Sequence, residues 1–90
     1  MKYPICLQEV ILNIKHISDE QTIYAEQPWD ITSQAIALSD SDKIEIIIED
    51  KYYSYFLEVF IIKELVEDLS NSITTQDLVF RIIEYAINDA

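Results

Sequence analysis

The chain has 90 residues, half of them apolar by type and 17 of them isoleucine, which is enough for one small domain and too apolar for a disordered acidic tail. Seventeen Asp and Glu against six Lys and Arg give a formal net charge of −11, a balance that argues against direct contact with nucleic-acid backbone or anionic membrane. The absence of glycine excludes phosphate-cradling loops, dinucleotide fingerprints and nucleophile elbows of the usual spelling, and the single Cys6 excludes an internal disulfide or a thiolate zinc cluster.

From Pro4 to about Ile17 the residues Cys6, Leu7, Val10, Ile11, Ile14 and Ile17 share one helical arc, with Gln8, Glu9, Lys15 and His16 opposite. This spacing predicts a helix with Pro4 at its first position and Cys6 as an inert buried thiol. Thr22–Ala25 predicts a short strand closed by Pro28. Gln34–Ser39 predicts a second, with Ile36 and Leu38 on one face and the small Ala35 and Ala37 on the other, where a helix can approach closely. Ser39, Asp40, Ser41 and Asp42 form a polar connector. Ile44–Glu49 then alternates Ile44, Ile46 and Ile48 with Glu45 and Glu49, and Tyr52–Leu57 is rich in strand-favouring aromatics. The two runs suit a hairpin, and the glycine-free Asp50-Lys51 connection predicts a loose turn.

Two helices follow. From about Val59 to Leu69, Ile61, Ile62, Leu65, Val66 and Leu69 share an arc, while Lys63, Glu64, Glu67 and Asp68 share the other; Glu58 falls out of phase and marks the start. Asn71 is the best available left-handed C-cap. Thr74 caps the last helix, with Asp77 three residues on, Ile73 and Leu78 as a hydrophobic staple, and Asp77 with Arg81 at ion-pair spacing; it should run to about Asn88. No apolar run exceeds four residues, so neither a signal peptide nor a membrane span is expected, and a cytoplasmic protein is the expectation.

No constellation recruits an enzyme. The acidic cluster Asp40, Asp42, Glu45, Glu49, Asp50 fails the calcium-loop template, having Glu45 where glycine is needed and Lys51 where glutamate is needed. His16, the one histidine, reads as a surface residue near a helix C-terminus. Glu64, Glu67 and Asp68 lie opposite an apolar arc and read as solvated carboxylates. No catalytic residue, cofactor or metal ligand is assigned. Interaction features are clearer. The last helix has an apolar arc of about 220° by the 100°-per-residue count, because Phe80 and Tyr85 flank Leu78, Val79, Ile82, Ile83 and Ile87. Phe60 falls on the charged side of its helix. Such surplus suits a homodimer or partner surface, or alternatively a helix sandwiched between two layers. Trp29, within Gln27-Pro28-Trp29-Asp30, reads as a plug at one end of the core, with a binding anchor as the alternative.

In order, a leading helix, a short strand, Pro28-Trp29-Asp30, an acidic connector, Tyr55-Phe56-Leu57-Glu58-Val59 leading into a helix, and a closing Glu84-Tyr85-Ala86-Ile87-Asn88-Asp89-Ala90 resemble a family of small acidic bacterial proteins classed as a domain of unknown function. The resemblance implies no activity for any residue. In size and charge the chain is also similar to immunity proteins that neutralise bacterial toxins, an analogy of general character. The expectation is therefore a single α+β domain over residues 1–90, with a small, mainly antiparallel sheet packed against an N-terminal helix and two C-terminal helices. Its expected function is that of a non-enzymatic interaction protein, an immunity-like inhibitor of a basic protein partner, with Trp29, Phe60, Glu64, Glu67, Asp68, Phe80 and Tyr85 as candidate partner-binding residues. A small carboxylate-based or metal-assisted enzyme, or a ligand-binding protein, is the alternative.

Overall fold

In a computed structural model that describes residues 2–39 and 42–89, the chain runs β1 (Ile5–Cys6), α1 (Leu7–Leu12), a 3-10 turn (Ile14–His16), β2 (Gln21–Ala25), β3 (Gln34–Ser39), β4 (Glu45–Ile48), β5 (Lys51–Glu58), α2 (Val59–Leu69) and α3 (Thr75–Asp89). The strands form one antiparallel sheet in the order β1-β3-β2-β5-β4, with the helices on one face. This is the expected α+β architecture. The connector and the acidic cluster fall partly on residues 40 and 41, outside the described residues.

The N-terminal segment differs from the long helix its periodicity predicts. Leu7, Val10, Ile11, Ile14 and Ile17 are all buried, so the arc is correct, but Ile5 and Cys6 are extended and pair with Ala35 and Gln34 of β3. Pro4 thus lies outside the helix, and Cys6 is half-buried. Tertiary pairing has overridden local propensity here. The first amides of α1, orphaned as at any helix start, find carbonyls in the loop between β2 and β3: Leu7 N–H bonds to Ser33 at 2.8 Å and Gln8 N–H to Ile31 at 3.1 Å. Asn13 closes α1, its side-chain amide donating to the Glu9 carbonyl at 2.8 Å. The 3-10 turn then carries Ile14 and Ile17 along the same buried side, leaving His16 exposed.

Between β2 and β3, Tyr24 lies opposite Ile36 and Thr22 opposite Leu38 on the face away from the helices, while Ala25 lies opposite Ala35 on the helix face. The small alanines do line the helix side, as their size suggests. β5 breaks strict alternation. A bulge sets Tyr24 opposite Tyr55 but Ile23 opposite Leu57, so the consecutive Phe56 and Leu57 both enter the core beneath the helices. The hairpin also corrects the expectation of a loose turn at Asp50-Lys51. Ile48 pairs with Lys51 across a tight two-residue turn in which Glu49 and Asp50 adopt φ of 51° and 66°.

α2 has the predicted bounds, with Glu58 as its extended N-cap. The expected left-handed cap at Asn71 is absent; Ser70 ends α2 with right-handed backbone (φ −61°), and Glu49 and Asp50 are the positive-φ residues among those described. Thr74 caps α3 as read: its Oγ1 accepts the Asp77 N–H at 3.2 Å, and Ile73 packs against the cluster containing Leu78. Asp77 and Arg81 do not form the expected ion pair; Lys63 with Asp19 is the ion pair among the described residues.

Two apolar clusters result. The larger joins α1, α2, α3 and the helix face of the sheet through residues such as Val10, Ile23, Phe56, Ile62 and Ile82, each contributing about 1.5–3 kcal/mol on burial. The smaller lies on the opposite face, where Tyr24, Ile36 and Tyr53 are buried among Tyr3, Leu38, Ile46 and Tyr55. No helix among the described residues is long and apolar enough to cross a membrane.

Candidate interaction surface

The loop after β2 is built by short polar contacts. The Asp30 carboxylate accepts the Thr32 N–H at 2.8 Å and the Thr32 hydroxyl at 2.7 Å, while Ser33 Oγ accepts the Asp30 N–H and donates to the Pro28 carbonyl. The Thr32 hydroxyl, aided by its N–H, holds the Asp30 carboxyl below its ordinary value. This frame presents Trp29, whose indole N–H donates to the Ala25 carbonyl at 3.2 Å and whose ring stands edge-on to Phe56 at 5.1 Å. Trp29 packs partly buried against the main core, the plug geometry, and it also borders an open groove of about 730 Å³ with Pro28, Ile44, Tyr55, Ala86 and Ile87.

Beyond this groove the helix layer ends and the sheet does not. Ile44 is 83 % exposed, Ile47 60 % and Tyr52 57 %, and Ile48 is also exposed, so the β4–β5 hairpin projects as an apolar edge. The face of the sheet away from the helices carries the tyrosines: Tyr24 donates its hydroxyl to the Lys43 carbonyl at 2.7 Å and stands edge-on to Tyr55 at 6.2 Å. Burial pushes the phenols of Tyr3, Tyr53 and Tyr55 up; nearby Glu26 and Glu49 add to this for Tyr53, and Glu58, which accepts the Tyr55 hydroxyl, adds to it for Tyr55.

The candidate residues read from the sequence do not converge on one place. On α2, Phe60, Glu64 and Glu67 follow i, i+4, i+7 spacing and form one exposed stripe with Asp68 beside it. On α3, Phe80, Glu84 and Ile87 repeat the same spacing and the same exposure. Tyr85 lies instead in the furrow between the two helices, near Leu65, Leu69 and Arg81. Trp29 belongs to the groove. The flank of α3 that carries Phe80 and Ile87 is therefore uncovered, and the sandwiched-helix alternative does not hold.

Sequence reasoning missed Ile44, Ile47 and Ile48 as surface residues. One signal was present: Ile47 falls in phase with Glu45 and Glu49, an isoleucine on the polar side of the strand. Among the described residues, no group of three or more His, Cys, Asp or Glu side chains is placed to hold a metal ion. No family model, curated protein or solved structure matches this chain.

Proposed function

We propose that this protein is a non-enzymatic interaction module that acts in the cytoplasm by binding a basic protein partner through the outer face of its helix layer, in the manner of an immunity-like inhibitor. The observation carrying this reading is the pair of exposed stripes in which large apolar side chains stand beside carboxylates, Phe60-Glu64-Glu67 on α2 and Phe80-Glu84-Ile87 on α3. Aromatic side chains in such a setting supply contact energy, and surrounding carboxylates steer an oppositely charged surface into encounter. The excess of 17 acidic over six basic residues gives that steering its sign.

Affinity capture of the tagged protein from its native lysate, at low and at high salt, tests the reading. A single basic protein retained at low salt and partly released at high salt is the expected result. The triple variant Glu64→Lys/Glu67→Lys/Asp68→Lys should then associate with that protein roughly tenfold more slowly at low salt. Retention by the triple variant at an unchanged rate and salt dependence, or recovery of no basic protein, overturns it.

A further inference from the structure

We infer that the groove beside Trp29 is a binding site for a small organic cation, an ammonium-bearing molecule with an apolar body. The groove shares one residue, Ile87, with the helix stripes, and the inference stands independently of the partner reading.

The hollow has a cause in the sheet. Ala35, Ala25, Ser54 and Glu45 stand opposite one another in turn across β3, β2, β5 and β4. Ala25 and Ala35 belong to the core beneath the helices, so the whole row lies on the helix face. Small side chains in succession leave depth above the sheet that larger ones would fill. Ser54 supplies the floor of the groove, Ala86 and Ile87 of α3 supply one wall, and Pro28 and Trp29 supply another.

The Trp29 wall is fixed before any ligand arrives. Its indole N–H is satisfied by the Ala25 carbonyl, its ring stands against Phe56, and the hydrogen bonds among Asp30, Thr32 and Ser33 brace the loop that carries it. A wall already in place loses little freedom on binding. The volume of about 730 Å³ falls within the roughly 300–1,000 Å³ of small-molecule sites. The lining has their character too, being mainly apolar, with Gln27 and Ser54 as hydrogen-bonding groups.

Charge decides the sign of the ligand. Glu26, Asp30 and Glu45 adjoin lining residues in the chain, and Glu84 stands one helical turn before Ile87; Lys43 is the basic residue that adjoins one. Glu45 matters most, because its pairing with Ser54 puts its side chain on the groove's side of the sheet. Lys43 precedes the bend at Ile44, and its carbonyl is held from the opposite face by Tyr24. With −11 over the whole chain, the field at the groove favours a cation and disfavours an anion. An indole also attracts ammonium groups through its ring. An apolar body lying along the trough, with its ammonium toward Glu45, satisfies each of these parts.

Trp29 is the only tryptophan in the chain, so its fluorescence reports on the groove directly. Titration of the purified protein at low salt with phenylbutylamine, phenylbutanol and phenylbutyrate presents one apolar body with a positive, a neutral and a negative head. The amine should shift the Trp29 emission saturably, with a dissociation constant about threefold below that of the alcohol, and the acid should bind weakest. Added salt should narrow these gaps. Glu45→Gln should remove most of the amine's advantage and leave the alcohol's constant unchanged. Ser54→Leu, which fills the floor with a side chain that a strand accepts, should weaken all three at least tenfold (roughly, for a groove closed at its deepest point) while the circular dichroism stays that of the wild type. The inference is overturned by the absence of a saturable shift with the amine, by equal constants for the three heads, or by an amine advantage unchanged in Glu45→Gln. Amine binding that survives in a folded Ser54→Leu chain overturns it as well. No protein partner enters these measurements, so their failure leaves the helix-stripe reading standing.

Discussion

Glu49 and Asp50 sit at φ of 51° and 66°, where a Cβ crowds the following carbonyl and a non-glycine residue costs roughly 1–2 kcal/mol. A two-residue hairpin that follows strand twist requires this geometry at both central positions, so the short connection between β4 and β5 imposes it whatever residues are available. Asp tolerates that region better than Glu because its short side chain can bond locally, but glycine suits it best. Asp50→Gly should therefore stabilise the fold by about 1 kcal/mol, less the extra entropy of a glycine in the unfolded chain, and raise the thermal midpoint by a few degrees. An unchanged or lower midpoint in thermal unfolding would show that the side chain of Asp50 contributes more than its backbone costs. The hairpin was legible in the sequence but the tightness of its turn was not, because the usual marker, glycine, is missing from the whole chain. Trp29 is the opposite case: a lone large aromatic beside a short strand pointed to a core plug, and it lies on Phe56 at the end of the core.

At the scale of elements, local signals worked where the chain's own period decides the outcome. The N-terminus of α3 is the clearest example, since Thr74 accepts the Asp77 N–H as its spacing implies. Thr74→Ala should cost about 1 kcal/mol, while Thr74→Ser should cost little. Urea midpoints of the two variants check this, and equal losses would mean that the cap hydroxyl is not what holds this end. Periodicity likewise found every buried position of the first segment from Leu7 to Ile17, yet it could not see that Ile5 and Cys6 would be drawn out to pair with β3. The bulge in β5 was hidden for the same reason: Phe56 and Leu57 face one way because of register against Ile23 and Tyr24, a relation between distant segments. The candidate surface divides along this line. Phe60 and Phe80 were legible because they fall out of phase with their own helices. The exposed isoleucines of β4 were not, because Ile48 is in phase with its strand, and the exposure of Ile47 and Ile48, which lie on opposite faces, is set by which distant segments cover the hairpin.

For the molecule as a whole, the two faces of the sheet are closed by different chemistry, and that difference should set its response to alkali. The helix face is covered mainly by aliphatic packing, and among the described residues its buried cluster holds no ionisable group. The other face is closed largely by tyrosines, and burial holds the phenols of Tyr3, Tyr53 and Tyr55 above their ordinary value of 10.0. A folded-state value raised above the unfolded one contributes stability that is fully present below about pH 10 and is lost as pH rises through the folded values. Each phenolate formed must either remain on an apolar face or leave it, and it adds negative charge to a chain that already carries −11. Lysines also lose their charge in this range, but they do so equally in a variant that retains them all. Urea unfolding at pH 9 and pH 11 should therefore show a fall in midpoint for the wild-type chain and a smaller fall for Tyr53→Phe/Tyr55→Phe, even though the variant forfeits the Tyr55–Glu58 hydrogen bond. Equal falls in the two proteins would place the alkaline sensitivity in the lysines or in overall charge repulsion, and would remove the tyrosine face as its source.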